Sequence, residues 1–423
     1  MNRPKTMTIM QPLRNLSPSM TSDTAIGPIR ANERAEWLDA LRGFALLGIL
    51  LINISAFSGY AFLDPATKAQ LPGSGADKVL EYVVHALVEA KFYSLFSFLF
   101  GLGFAVQMRR AEERGGGFEA VFRRRLGWLL VFGLIHAFLL WFGDILNFYA
   151  LMGFVLLWFR RFSARTLLLS AIFFLTAPIW LYGVYLLYTL LAHAAPVAQP
   201  EASGAMRAII DNYAHGGYTD IVQSNSQIYA FAWIRRIYRF QLLRILGMFL
   251  LGAWAGRIGL PQARDALQPL FRALLVVGLA IGLPMNLAFA AVGGNDALLP
   301  ASAMGLLSIT LGSIGIPLLS LTYAAAFALY WRKPRGSGNL LVASGRMALS
   351  HYLSQSLIAV TLFYGIGFGL FGRTSYGAGM LIALAVFLVL AMFCRSWLSF
   401  FPQGPMEALW RRLTYSRGQP ASR

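Results

Sequence analysis

Long apolar runs separated by short basic stretches set the pattern of this chain. A bilayer-spanning helix needs about 20 mostly apolar residues. Runs of that kind predict helices near 41–62, 82–108, 125–142, 145–159, 166–191, 240–256, 271–292, 301–331, 347–371 and 377–401. The fourth sits at the lower length limit, and the eighth is long enough to tilt or to run beyond the bilayer. The fold class read from this pattern is all-α: a polytopic membrane protein with about ten transmembrane helices.

The basic stretches give the orientation, because short cytoplasmic loops carry the excess of Lys and Arg. Arg109, Arg110, Arg114, Arg123, Arg124 and Arg125 lie between helices two and three, and Arg160, Arg161 and Arg165 between four and five. Arg257, Arg264 and Arg272 lie between six and seven, Arg332, Lys333, Arg335 and Arg346 between eight and nine, and Arg411, Arg412 and Arg417 after ten. The alternate loops carry little: Lys68 and Lys78 beside Asp64 and Asp77, then Asp144, Asp296 and Arg373. With ten helices every basic loop falls on one side, which puts both termini in the cytoplasm. Residues 1–36 are polar, have no apolar segment of a secretory signal, and read as a disordered cytoplasmic tail. Residues 192–239, which contain Pro196 and Pro200, read as an external loop. That loop separates an N-terminal five-helix half (37–191) from a C-terminal one (240–415), with a second tail at 416–423.

Composition agrees with the pattern. The chain of 423 residues is 57% hydrophobic with 13% charged residues, where a soluble protein carries about 25%. Its formal charge is +18, from 36 Lys and Arg against 18 Asp and Glu. In a soluble protein that excess would suggest nucleic acid. Here it sits in inter-helix loops, where it meets anionic lipid headgroups, so no nucleic-acid partner is expected. The single cysteine, Cys394, reads as a small buried apolar residue.

Ionisable groups inside a span are costly and therefore informative. His136 lies about 9 Å below the outer end of helix three, at 1.5 Å per residue. The Gly143-Asp144 turn that follows keeps helices three and four adjacent. Asp144 can therefore orient His136 as a general base, or cap helix four while His136 bonds a neighbouring helix; both readings stay open. Asp39 and Arg42 share a helical face at the inner end of helix one, as an ion pair or as an anchor for an anionic donor. His85 and Glu89 share a face on the outer approach to helix two, and Lys91 lies deeper. Gln241, Arg244, His351 and Gln355 are further polar groups within spans. The Gly101 and Gly365–Gly369 regions suit close helix packing. There is no Walker loop, dinucleotide fingerprint or metal-ligand motif.

Five ordered motifs carry a resemblance. They are Leu38-Asp39-Ala40-Leu41-Arg42-Gly43 running on to Asn53-Ile54; Lys91-Phe92 with Leu95-Phe96-Ser97 and Leu99-Phe100-Gly101; and Gly133-Leu134-Ile135-His136 through Trp141 with Gly143-Asp144-Ile145-Leu146 and Tyr149. The last two are Gly345-Arg346-Met347-Ala348-Leu349-Ser350 with Tyr352 and Gln355, and Gly404-Pro405-Met406-Glu407 with Trp410-Arg411. Together they span nearly the whole chain, which resembles the YeiB-like family of bacterial inner-membrane proteins, a domain of unknown function. That family is in turn similar to the transmembrane acyltransferase superfamily, which includes the heparan-glucosaminide acetyltransferase and the bacterial polysaccharide O-acyltransferases.

The resemblance implies an enzyme that takes an acyl group from cytoplasmic acyl-CoA or acetyl-CoA and passes it to a sugar or lipid acceptor on the periplasmic side, with no covalently bound cofactor and no metal. It implies donor contacts at Asp39 and Arg42 and a catalytic pair of His136 with Asp144; the acyl-transfer reading adds Arg346 as a guide for the donor and Lys91 as a catalytic oxyanion donor. The polysaccharide O-acyltransferases carry a catalytic histidine late in helix one; here that region reads Leu51-Ile52-Asn53-Ile54-Ser55, so His136 would have to take its place. The rival readings are a transporter or flippase for a lipid or amphiphile, and a non-catalytic membrane scaffold. Membrane lipids are expected partners, and a homodimer is one open assembly.

Overall fold

The computed structural model describes residues 35–113, 117–192, 204–298, 300–331 and 339–415. The expected tails, Arg114, Pro196, Pro200, Arg332, Lys333, Arg335 and Arg417 lie outside them. Among the described residues every regular element is a helix: α1 (Glu36–Phe57), α2 (Pro65–Gln70), α3 (Asp77–Leu87), α4 (Lys91–Glu113), α5 (Phe118–Leu139), α6 (Leu146–Trp158), α7 (Ala164–Leu191), α8 (Gly204–His215), α9 (Tyr218–Tyr238), α10 (Gln241–Arg257), α11 (Gln268–Val277), α12 (Leu283–Ala291), α13 (Ala303–Tyr330), α14 (Leu340–Arg346), α15 (Ala348–Phe363), α16 (Tyr376–Phe400) and α17 (Pro405–Tyr415).

Six helical segments among the described residues are long and apolar enough to cross a bilayer: α1, α3–α4, α7, α11–α12, α13 and α16. The α9–α10 pair, bent by 64°, is a seventh candidate. The three other expected spans are helices as well. Of these, α5 carries Arg123, Arg124 and Arg125, while α6 and α15, at 13 and 16 residues, are shorter than a full crossing needs. The outward faces are apolar, with Leu169, Phe173, Trp180 and Val184 on α7 and Leu381, Leu388 and Val389 on α16 all exposed. Buried instead are Asp39, Lys91, His136, Asp144, Arg244 and His351. This inversion of the soluble pattern is the mark of a helical membrane protein.

Several expected elements differ in detail. The helix read as 82–108 is broken, because Ala90 takes a left-handed conformation (φ 65°) between α3 and α4. The helix read as 347–371 ends at Phe363; beyond it Gly365, Gly367 and Gly369 let the chain turn back, with Phe368 N–H on the Thr361 carbonyl (2.9 Å) and Phe371 N–H on that of Phe363 (2.7 Å). A single π turn over Gly278–Gly282 joins α11 to α12. The largest difference is at 192–239. Its described part is not a loop but the two helices α8 and α9, which bury Ile209, Tyr213, Ile221, Ile228 and Ala232. Asn, Asp, Ser and Gln interrupt their apolar face, which hides them from a search for apolar runs.

Carboxylates pin the helix ends. Asp77 on α3 accepts from the Tyr376 and Gly377 amides, both at 2.9 Å, at the start of α16. Asp64 caps α2, and the Thr67 hydroxyl and amide hold its carboxyl below the usual carboxylate range. Glu407 on α17 accepts from the Leu349 and Ser350 amides at 2.7 and 3.1 Å and from the Ser350 hydroxyl at 2.5 Å, so an acid sits at the positive end of α15.

The helix pairs α1–α14 and α4–α10 approach closely. A side chain at Gly345 would strike the Asp39 carbonyl, and one at Gly101 the Phe249 carbonyl. Gly101→Leu is therefore expected to cost about 1–3 kcal/mol, read as a lower melting temperature of the purified protein. Gly127→Leu, where the surrounding space is open, should change it far less. Equal losses at the two positions would refute the close-packing account.

Candidate functional site

His136 lies near the C-terminal end of α5, 3% exposed. The α5 helix stops at Leu139, and Trp141, stacked on Phe57 at 4.0 Å, folds the chain back into α6. That turn brings Asp144 Oδ1 to within 3.0 Å of His136 Nδ1. The other oxygen, Oδ2, accepts from the Asn147 amide at 2.9 Å and from its Nδ2 at 2.7 Å. Asp144 thus does both things its position allows: it caps the first turn of α6 and orients the imidazole. An ionised carboxylate at Nδ1 requires a proton there and leaves Nε2 as the basic nitrogen. Nε2 is buried and makes no hydrogen bond.

One side of this pair is covered by α8 and α9. Tyr218 donates to the Leu139 carbonyl (2.9 Å) and Asn225 Nδ2 to that of Phe138 (3.2 Å), satisfying end carbonyls of α5. Tyr213 donates to Asn225 Oδ1 at 2.9 Å, and burial pushes its phenol pKa up, so it stays a donor. Arg236 Nη2 donates to the Gly143 carbonyl at 3.3 Å, and its guanidinium lies 4.1 Å from the centre of the Phe148 ring. The imidazole is therefore enclosed on the side of α8 and α9.

On its other side runs a cavity of about 400 Å³. Five arginines, Arg42, Arg110, Arg125, Arg346 and Arg411, line it with only two carboxylates, Asp39 and Glu407. Arg42 pairs with Asp39 at 2.5 Å. Arg125 donates to Gln107 Oε1 at 3.0 Å and lies over the Trp410 ring at 4.1 Å. Arg346 Nη2 reaches the Pro402 carbonyl at 3.3 Å, while its Nε is buried without a partner. Arg411 bonds Gln403 at 3.2 Å. Away from the arginines the walls are Leu46, Ile49, Phe96, Leu99, Leu129 and Leu146. Tyr352 is also part of the wall, and its ring centre lies 5.2 Å from that of His136. The imidazole stands one side chain behind the cavity.

The fold thus brings Asp39, Arg42 and Arg346 together at one cavity, through the close contact of α1 with α14, and joins His136 to Asp144. It does not bring Lys91 to them. The Lys91 ammonium donates to the His85 carbonyl at 2.8 Å and lies 5.7 Å from the Phe289 ring centre, with no bond to the His136–Asp144 pair. His85 and Glu89 approach at 3.7 Å. Gln355 donates to the Leu46 carbonyl at 3.3 Å; His351 packs on Phe387 with neither ring nitrogen bonded. Cys394 is buried beside Ala343 and Met347. Among the described residues no His, Cys, Asp and Glu cluster could hold a metal. Sequence reasoning missed Arg125, Asn147 and Arg236 as members of the site. The one signal for Asn147 was its place three residues after Asp144, the spacing of a cap.

Residues 255–417 match a family model described as a protein of unknown function, DUF418. The chain is 33% identical to "Uncharacterized protein YxaH" of Bacillus subtilis over 95% of this chain and 99% of that protein. It is 30% identical to an "Uncharacterized 39.9 kDa protein in amylase 3'region" of Bacillus acidopullulyticus, over 93% and 97%. It is 32% identical to "Uncharacterized protein YeiB" of Escherichia coli, over 92% and 98%. No solved structure matches at a significant level. With relatives at this identity matched over nearly their full length, the chain belongs to the family of YxaH and YeiB.

Proposed function

We propose that this protein is a membrane-embedded acyltransferase of a bacterial inner membrane, which takes an acyl group from cytoplasmic acyl-CoA and passes it to a hydroxyl or amine acceptor held towards the periplasm. The carrying observation is the cavity: an arginine rim over apolar walls that end one residue from an oriented histidine with a free Nε2. An occupant matching that lining has a polyanionic head and an apolar arm. The phosphates of coenzyme A suit Arg346, Arg411 and Arg42, since guanidinium groups pair with phosphate oxygens through two parallel N–H bonds. The same arginines lie on α1, α4–α5, α14 and α17, and their excess of positive charge supports a cytoplasmic mouth with both termini on the same side.

Asp144 then holds the His136 Nδ1–H, and Nε2 accepts the proton of the acceptor O–H or N–H as the heteroatom attacks the thioester carbonyl. The carbon–sulfur bond breaks, and the imidazolium returns that proton to the departing thiolate. The products are the acylated acceptor and free coenzyme A. Tyr352 has to swing aside for the thioester to reach Nε2. Lys91, tied to the His85 carbonyl on another face of α4, takes no part.

Binding and chemistry are separable in test. Palmitoyl-CoA or acetyl-CoA should raise the melting temperature of the purified protein. Arg346→Gln and Arg411→Gln should each weaken that binding by about tenfold or more, with exposed Arg272→Gln as the unchanged control. Proteoliposomes in which lipid crosses with no consumption of thioester would point to transport instead.

Thioester cleavage, with a small soluble amine as a surrogate acceptor, should fall by at least about 100-fold in His136→Ala while acyl-CoA binding persists. Asp144→Asn should lose rate as well, because it disturbs the tautomer. Release of free thiol, followed with a thiol reagent, measures both. A His136→Ala protein at the full rate would end the catalytic assignment.

A further inference from the structure

A second polar cluster lies apart from the cavity, in the seam between α4 and α10. Arg244 is 2% exposed. Its Nη1 donates to the Tyr93 hydroxyl at 2.8 Å, while its Nε and Nη2 are buried with no hydrogen-bond partner. Ser94 is fully buried, and its hydroxyl has no partner either. Seven residues before Gly101, it shares the face of α4 that meets α10. Lys91, nearly one turn earlier, is also fully buried and bonds a single oxygen, the His85 carbonyl. Among the described residues no carboxylate forms an ion pair with Lys91 or Arg244. Glu89, the acid next in sequence, attracts Lys91 through space without an ion pair, being engaged by Asn295 at 3.2 Å and by His85 at 3.7 Å.

A guanidinium does not shed its proton in a protein, and a buried cation without a counter-charge is strongly unfavourable. Water would satisfy the free N–H groups but not the charge; an anion satisfies both. The seam is narrow, since a single Cβ at Gly101 would already strike the Phe249 carbonyl, so the anion must be small. We propose that Arg244, Lys91 and Ser94 hold a small monovalent anion, chloride or a short carboxylate, which offsets one of the two positive charges and fastens α4 to α10. Arg244 supplies two N–H donors, Ser94 a hydroxyl and Lys91 the second positive charge. The site is separate from the cavity, which ends at Tyr149; that side chain turns its own hydroxyl to the Tyr93 carbonyl at 2.6 Å. It stands whether or not acyl transfer does.

The test is thermal melting of the full-length protein, purified in sodium gluconate and titrated with chloride, formate or acetate at constant ionic strength. A saturable rise of about 2–5 °C is expected, at lower concentration for chloride if the ligand is inorganic and for formate or acetate if it is a carboxylate. Further gluconate should do nothing. Ser94→Ala should raise the half-saturating concentration about fivefold, Arg244→Gln should abolish the response, and Arg272→Gln should leave it intact. Should Arg244→Gln fail to fold, Ser94→Ala and Lys91→Met carry the comparison. A melting temperature indifferent to these anions overturns the proposal, as does a response that is the same in Ser94→Ala as in Arg272→Gln.

Discussion

A polar group sunk in hydrocarbon has no water to turn to and must find its partner inside the protein. The 0% exposed Asp144 carboxylate is where this constraint is met most fully. Each oxygen is spoken for, one by the imidazole and the other by the first turn of α6. The carboxylate could not be withdrawn from either task without leaving a buried donor unmet. The short turn between α5 and α6, the orientation of His136 and the start of α6 are consequently one feature. The α8–α9 hairpin extends it: its tyrosine and asparagine donors close the open carbonyl end of α5, and Arg236 reaches the Gly143 carbonyl beside Asp144.

The same rule explains why the cavity is polar only at one end. At the rim, arginines find acceptors in Asp39, Gln107, Gln403 and the Pro402 carbonyl. Deeper in, where no such acceptors stand, the walls become Leu, Ile and Phe. The amphipathic α17 helix completes the rim. Glu407 ties it to α15, the Trp410 indole donates to the Arg125 carbonyl at 2.9 Å, and Arg124 donates to the Thr414 carbonyl at 3.0 Å. A chain segment that looks like a dispensable basic tail is a wall of the cavity.

How much was legible follows from which physics writes itself into local sequence. Apolar length does, so the segments expected to span fall on helices. Tight spacing does, so the eight-residue separation of His136 and Asp144 announced their contact. The i, i+3 pairing of Asp39 with Arg42 was equally plain. Backbone conformation at a single residue does not: nothing in Val-Glu-Ala-Lys marks Ala90 as left-handed. Nor does tertiary satisfaction of helix ends, which is why α8 and α9 read as a loop. Their apolar positions are too interrupted to stand out as a long run, and their polar ones serve carbonyls on α5, dozens of residues away in sequence. Lys91 was misjudged for a related reason. Depth along a helix can be counted from sequence, but the face it presents to a cavity cannot, and the broken turn at Ala90 sends its ammonium to the His85 carbonyl.

If the proposed acyl transfer is the function, the enclosure of His136 shapes it. A histidine open to the outer phase would serve water as readily as any acceptor, and a thioester arriving there would be hydrolysed. Covered by α8–α9 on one side and by Tyr352 on the other, the imidazole meets reactants only when a wall moves. Excluding water is a recognised contribution to transfer over hydrolysis. The two walls differ in kind. Tyr352 is one side chain, while α8–α9 is a pair of helices joined through Gly216 and Gly217 and set at an angle to α10 by the left-handed Phe240. On the proposed reaction, donor entry from the arginine rim would ask for a rotamer change, and acceptor entry from the far side for a helix movement. That asymmetry suits an order in which the donor binds first and the larger rearrangement waits for the acceptor.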